Sequence, residues 1–466
     1  MEEQKSLNIG VKNFIKIVAL LYVILFAVGI LTYVIPAGQY GFTADGEIIP
    51  DSFTYITSTT RLPWYRWLTA PFESAIFGAG NLNMFQVIAI ILLHGGCFKV
   101  LEVSGGINSL IKVLIHKFET KRFLAILIIT FLMMALSSLF GLQEELLILF
   151  PIFLSFANSM KWSKETALGF VLITSGTGFT AAILNPFTIG ICCKLANVSI
   201  MDGIWYRIII FATLFVLTSL FLVAMAKSDE KKNLLSPANK DENSETQIER
   251  KDIYQTSLIL GLFGFVLLVV LIFSIIPALQ SLSMIIMGVS FVIGTTVIGR
   301  ILIGNFKDWG KAFGSGVLAV LPSVFIIMTA FSIKYIADQG NILHTLFHSI
   351  NQFVNGTSPY LAVLILYVFV LLVEFFIPGA SAKAYLIIPL LTLAPIPGIS
   401  KTVIILAYLF GDGYTNVLFP TNGLLMIGLG VANIGYFTWL KKTGLFQIAL
   451  FLLSCGFLML AVFLGL

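Results

Sequence analysis

A few charged residues interrupt otherwise apolar stretches of this sequence. Glu144 and Glu145 break GLQEELLILFPIF (141–153), and Lys383 breaks IPGASAKAYLIIPLL (377–391), with Glu374 shortly before it. Asp412 sits inside LFGDGYTNVLFPTNG (409–423). An ionisable side chain at mid-membrane depth costs about 2.5–3.5 kcal/mol on insertion scales, so those that remain usually face a partner or a wet cavity. Successive helical side chains diverge by about 100°, so Glu144 and Glu145 cannot point the same way, and at least one is expected to face a cavity. The helix that starts after them presents its positive end to a carboxylate. Two readings follow: a site for a cationic group, or a Glu–Lys383 ion pair tying two tips together. They coexist if a substrate displaces the lysine. The second tip, Gly379-Ala380-Ser381-Ala382-Lys383, offers backbone N–H groups, a hydroxyl and an ammonium, which suit a carboxylate. Its small residues also permit close packing and nothing more.

Each tip is followed by a second broken apolar segment. Gly176, Gly178 and Pro186 interrupt TSGTGFTAAILNPFTIG (174–190), while Gly411, Gly413 and Pro420 interrupt 409–423. Thr177, Thr180, Asn185 and Thr188 surround the first break, and Asp412, Thr415, Asn416, Thr421 and Asn422 the second. Unwound carbonyls with such side-chain oxygens can bind Na⁺ or a polar substrate, and a pair of breaks in matching positions is the pattern of a transporter with its site between two repeats. His344 and His348 share a helix face without a carboxylate beside them in sequence, which suits an interfacial role better than a metal site. The cysteines Cys97, Cys192, Cys193 and Cys455 lack metal-ligand spacing and read as small buried hydrophobes. HExxH, GxSxG and Walker A patterns are absent, which leaves an intramembrane hydrolase or an ATP-driven pump without support. The chain does not read as an enzyme.

Membrane-spanning elements must position these residues. Of the 466 residues, 58% are hydrophobic and 11% charged, against about 25% charged in soluble domains; the mean hydropathy is +0.98. Apolar runs long enough to cross a bilayer recur from end to end, and the alternating pattern of an outer-membrane barrel is missing. The net charge of +5 lies in short loops and reports orientation, not nucleic-acid binding. Expected crossings are 14–36, 84–102, 165–196 (broken), 203–226, 253–276, 281–301, 316–337, 401–432 (broken) and 441–466. Segments 122–158 and 359–395 are each too long for one helix and are interrupted near the middle, as in re-entrant hairpins. The first run, 14–35, is too long for a signal-peptide core and reads as a retained span. Half of the residues of 227–252 are charged, so it reads as a solvated linker. Trp64, Tyr65 and Trp67 in the long loop 37–83 read as an interfacial belt.

The expected organisation is therefore a first repeat over 1–226, a charged cytoplasmic linker over 227–252, a connecting span over 253–280 and a second repeat over 281–466. The halves match at Pro151 and Pro389, at Gly176-Thr177-Gly178 and Gly411-Asp412-Gly413, and at Asn197 and Asn433. Lys and Arg placement puts the N-terminus in the cytoplasm and the C-terminus outside. Equivalent spans are then separated by an odd number of crossings, so the repeats are expected to be inverted. The fold class is an all-α polytopic membrane protein in which each repeat carries a re-entrant hairpin and a broken transmembrane helix.

The segments GLQEE…PI, ILNPFTIGI, IPGASAKA…P and FGDGYTNVLFPTNG resemble the signature segments of the C4-dicarboxylate anaerobic carrier family. With YVIPAGQY (33–40) they look most similar to its YfcC-type branch of basic amino acid antiporters, which includes arginine/ornithine exchangers. Cys192-Cys193-Lys194 departs from the more polar sequence usual after the first broken helix. The resemblance implies membership of the ion-transporter superfamily, a homodimer in the inner or plasma membrane, and elevator-like alternating access.

Residues and resemblance together predict a secondary transporter for a cationic amino acid, with arginine/ornithine exchange as the leading expectation. Glu144 or Glu145 would meet the cationic tail; Ser381, the backbone near Gly379 and Lys383 would hold the α-carboxylate; Asp412 would take the α-amino group or a coupling cation. Thr177, Asn185, Thr188, Asn416, Thr421 and Asn422 would complete the site. No cofactor is expected beyond a coupling Na⁺ or H⁺. The alternative is a Na⁺- or H⁺-coupled carboxylate importer, and a channel or membrane scaffold is a third class.

Overall fold

A computed structural model describes residues 11–41, 49, 52–56, 61–78, 81–118, 121–143, 145–235, 248–275, 283–354, 357–377, 380–393 and 398–466. The order is α1 (Val11–Val34), β1 (Gly38–Gln39), β2 (Thr54–Tyr55), α2 (Arg66–Phe77), α3 (Asn81–Val103), α4 (Gly106–Phe118), α5 (Arg122–Phe140), α6 (Phe150–Ser159), α7 (Lys164–Thr180), α8 (Ile191–Ala196) and α9 (Ile204–Leu235). There follow α10 (Arg250–Ile275), α11 (Ser283–Leu302), α12 (Phe306–Val320), α13 (Pro322–Gln339), α14 (Ile342–Val354), α15 (Pro359–Phe376), α16 (Ala380–Leu393), α17 (Lys401–Thr415), α18 (Gly423–Val431) and α19 (Tyr436–Phe463). The protein is an all-α polytopic membrane protein. Seven helical stretches among the described residues are long and apolar enough to cross a bilayer.

The two interrupted segments each form a pair of helices, α5 with α6 and α15 with α16. Gly141 closes α5 in the left-handed conformation at φ 72°, which costs glycine little. The chain then turns through a short 3-10 stretch, Glu145–Leu149, into α6. The feet of this hairpin meet at Glu230, which lies 3.5 Å from Arg122 at the start of α5 and accepts the Trp162 indole N–H just past α6 at 3.0 Å. In the second hairpin, a side chain at Gly398, beyond α16, would fall 2.6 Å from Pro359 at the start of α15. The two ends of each interrupted segment thus lie close together. Ser163, Ser358 and Ser400 start α7, α15 and α17 by accepting the N–H groups of Thr166, Leu361 and Val403, satisfying donors that a helix N-terminus leaves free.

The arms of each hairpin straddle a broken helix: α5 and α6 both pack on α7, and α15 and α16 both pack on α17. Helices α1 to α4 and α10 to α13 pack largely on one another, joining the rest mainly through α4–α6 and α13–α18 contacts.

The structure corrects three expectations. Residues 227–235 are not linker, because α9 continues to Leu235 and buries Asp229 at 5% exposure. That carboxylate accepts hydrogen bonds from Ser163 Oγ (2.6 Å), Thr166 Oγ1 (2.6 Å) and Lys442 Nζ (2.9 Å). Charge density alone does not reveal such partners. The segment 37–83 also holds the β1–β2 hairpin and α2. Trp64 and Tyr65 are exposed there, but Trp67 is buried against Phe26, Tyr33 and the bare face of Gly29.

The two histidines of α14 dock the strand hairpin. His348 stacks on Phe53 with centroids 4.0 Å apart, and the Tyr40 N–H donates to His344 Nδ1 at 3.3 Å. Burial holds the His344 imidazole below its usual range, with Asp338 acting in the opposite sense. A depressed histidine stabilises the fold above its unfolded pKa, and that contribution is lost as pH falls through the folded value. Protonation at Nδ1 also removes the acceptor for Tyr40. Protection of the Tyr40 amide, corrected for intrinsic exchange rate, is expected to fall as the medium is acidified below neutrality. His344→Ala is expected to remove about 1 kcal/mol of protection at neutral pH.

Candidate functional site

The two broken helices cross at their glycines. A side chain on Gly176 of α7 would meet Val417 Cγ2 at 2.2 Å, and one on Gly413 of α17 would meet the Thr180 backbone N at 2.1 Å. The outer glycines seat each helix on its own hairpin: Gly178 lies against Met134 and Ser137 of α5, and Gly411 against Val370 of α15. The paired Gly-x-Gly motifs thus serve close approach of backbones.

Each broken helix also begins beside the end of the other. Lys401, at the start of α17, donates to Ala196 O at the end of α8 at 2.8 Å. Lys164, at the start of α7, donates to Asn433 O past the end of α18. Asn197 and Asn433 both hold left-handed φ, 54° and 52°, where the second half-helix stops. A lysine at a helix C-terminus satisfies orphan carbonyls and opposes the negative end of the helix dipole.

The first break is bound to the first hairpin. Ser138 O accepts the N–H groups of Ile183, Leu184 and Asn185 at 3.0, 3.2 and 3.1 Å. Asn185 starts the following π-helical turn by accepting from Phe187 N, and its amide donates to Ser137 O at 3.3 Å. The second break is bound to α19: Trp439 Nε1 donates to Val417 O and the Tyr436 hydroxyl to Leu418 O, both at 3.0 Å. Asn422 starts α18 by accepting from Leu424 and Leu425, and donates to Asn416 Oδ1 at 2.6 Å.

Beside the second break lies a buried ionic cluster. Lys383 of α16 is fully buried, paired with Glu374 of α15, and lies 2.8 Å from Asp412 of α17. Glu374 and Asp412 are themselves 2% and 1% exposed. Asp412 Oδ2 has no partner among the described residues. The Tyr408 ring lies 5.8 Å from the Lys383 ammonium, and α8 packs against both α16 and α17. With both carboxylates ionised, the cluster carries one negative charge more than its single ammonium offsets among the described residues. Such a cluster can accept a second cationic group.

The remaining expected site residues fall as follows. Glu144 and Gly379 lie outside the described residues, as do the side chains of Glu145 and Ser381; Glu145 opens the 3-10 turn and Ser381 lies in the first turn of α16. Thr177 is buried and donates back to Ile173 O of its own helix. The buried hydroxyls of Thr188 and Thr421, one beside each break, have no partner among the described residues. Lys383 is engaged by Glu374 of its own hairpin and by Asp412 of the adjacent broken helix, not by the Glu144-Glu145 tip among the described residues. Glu374 is the addition that sequence reasoning leaves without a role. Its signal is visible in retrospect as the only charged residue in the apolar helix Pro359–Phe376.

Comparisons with known proteins give the family of the chain. The family profile "C4-dicarboxylate anaerobic carrier" (DcuC) matches residues 14–463. An Escherichia coli (strain K12) protein named "Putative basic amino acid antiporter YfcC" is 24% identical, over 93% of this chain and 94% of its own. An uncharacterized protein of Haemophilus influenzae is 22% identical over 78% of this chain and 72% of its own. Among solved structures, the YdaH transporter of Alcanivorax borkumensis is 18% identical with TM-score 0.45, covering 97% of this chain and 99% of that one. MtrF of Neisseria gonorrhoeae is 15% identical with TM-score 0.45, covering 96% and 95%. Since the profile runs from the first spanning helix to the last, this chain belongs to the C4-dicarboxylate anaerobic carrier family of membrane transporters.

Proposed function

We propose that the protein is a secondary transporter that exchanges cationic amino acids, arginine against ornithine, across the cell membrane. The observation that carries this reading is the buried Glu374–Lys383–Asp412 cluster with its surplus negative charge. A guanidinium or ammonium entering beside Asp412 supplies the missing cation. The name of the Escherichia coli relative points the same way. In this reading Glu374 and Asp412 hold the cationic end of the substrate, and the polar groups at the breaks hold its α-carboxylate and α-amino groups. Thr188, Asn416, Thr421 and Asn422 beside the breaks are described candidates, with Gly379, Ser381 and the Glu144-Glu145 tip completing the set.

Exchange follows from the charge balance. An empty carrier would have to move a carboxylate without its counter-ion through a low-dielectric environment, which is costly, so return is favoured only with substrate bound. We further propose that the two halves form inverted repeats, the hairpins and broken helices moving as one body against α1–α4 and α10–α13 in a homodimer with a cytoplasmic N-terminus. The reciprocal Lys164–Asn433 and Lys401–Ala196 contacts support the inversion. A second reading, a Na⁺- or H⁺-coupled carboxylate importer, is favoured by the family name and by the buried ammonium of Lys383. There Asp412 would hold the coupling ion.

Uptake of labelled arginine into ornithine-loaded proteoliposomes, compared for wild type, Glu374→Gln and Asp412→Asn, tests the cation site. Each substitution is expected to lower exchange at least about tenfold, since a charged hydrogen bond in a buried site contributes about 1.5–3 kcal/mol. Exchange at the wild-type rate in both variants would remove these carboxylates from the site.

A further inference from the structure

Among the described residues, an apolar cavity lies apart from the Glu374–Lys383–Asp412 cluster, none of whose residues line it. It has a volume of about 390 Å³ and lies between α4 and α10 on one side and the first hairpin on the other. Leu110 and Leu114 of α4, Leu132 of α5, Phe153 of α6 and Phe263 of α10 are representative of its almost wholly apolar lining. Its size is in the range of ligand pockets. In a membrane protein the solvent at this depth is lipid, so an acyl chain fills such a groove at no polar cost.

One end of the groove is marked by charge. Phe118, the last residue of α4, and Ala125, in the first turns of α5, line it there. Lys117 adjoins Phe118 in the last turn of α4, and Lys121 immediately precedes Arg122, the first residue of α5, so both lie at this end of the groove. Both lysines are exposed, and neither forms an ion pair among the described residues. Arg122 and Lys112 nearby are occupied by Glu230 and Asp252. Lysines next to a membrane-spanning helix attract anionic headgroups.

We infer that this groove is a binding site for an anionic phospholipid, with an acyl chain between α4, α10 and the first hairpin and the phosphate between Lys117 and Lys121. A lipid held there touches both the outer helices and the hairpin, and so occupies the seam across which the hairpin would move. This inference does not depend on the identity of the transported substrate.

The test is native mass spectrometry of the protein extracted from vesicles of equal phosphatidylglycerol and phosphatidylcholine. Wild type is expected to retain phosphatidylglycerol preferentially. Lys117→Ala with Lys121→Ala is expected to lower that retention about thirtyfold, at roughly 1 kcal/mol for each lysine near the headgroups. Gly264→Phe enters the groove from α10 at a position that lines it and where an added Cβ meets nothing within 4 Å. It is expected to lower retention while leaving the protein monodisperse. Equal retention of the two lipids by wild type, or undiminished phosphatidylglycerol in both variants, would overturn the inference. So would a Leu132→Cys disulfide between protomers, since it would show a second copy seated on the groove.

Discussion

Replacing Lys383 by methionine is expected to cost about 3–5 kcal/mol of stability, the usual penalty for removing one partner from a buried ion pair. Methionine keeps the length and apolar stem of the side chain, so the loss reports charge more than volume. The variant would leave Glu374 and Asp412 facing each other, 2% and 1% exposed, with no cation between them. At about 1.4 kcal/mol per tenfold, the ratio of folded to unfolded protein should fall at least about a hundredfold in an unfolding titration in mixed micelles. Combining Lys383→Met with Glu374→Gln and Asp412→Asn removes the unpaired charges, and should recover much of the loss as a coupling energy. An unchanged midpoint for Lys383→Met alone would mean that the three groups do not form one cluster.

The second large effect is steric. Gly413→Val would place Cβ 2.1 Å from the Thr180 backbone N and 2.5 Å from its Cα. Backbone atoms cannot swing aside as side-chain tips do, so α7 and α17 must separate. Overpacking of this kind costs about 1–3 kcal/mol, and here the separation occurs where both broken helices bear their breaks. Exchange is expected to fall more than stability does, because the polar groups of the two breaks move apart. Gly444→Ala in α19, where an added Cβ meets nothing within 4 Å, is the control and should be neutral or slightly stabilising. Gly413→Val with wild-type exchange would show that the close crossing is dispensable.

Much of this architecture is legible in the sequence because membranes make interruptions conspicuous. A Gly, Pro or Asn inside an apolar run exposes backbone that must find partners, and Asn185, Asn422 and Gly141 occur where helices start or stop. The expected ranges 165–196 and 401–432 lie within a residue of the broken helices that run from Lys164 to Ala196 and from Lys401 to Val431. The pairing of Lys383 is harder to read. Its partners lie on two other helices, and nothing local to Glu374 says which face of α15 turns inward. The continuation of α9 to Leu235 hides for the same reason, because Asp229 is held by Ser163, Thr166 and Lys442, all distant in sequence. Trp67 reads as an interfacial aromatic by type, whereas its burial depends on the bare surface of Gly29 on another helix.

The proposed specificity is most directly tested by the unmodified protein. Reconstituted into liposomes loaded with ornithine, it should take up labelled arginine, and excess unlabelled succinate should not compete. Uptake of labelled succinate without arginine would contradict the cationic reading and assign the buried carboxylates to a coupling ion.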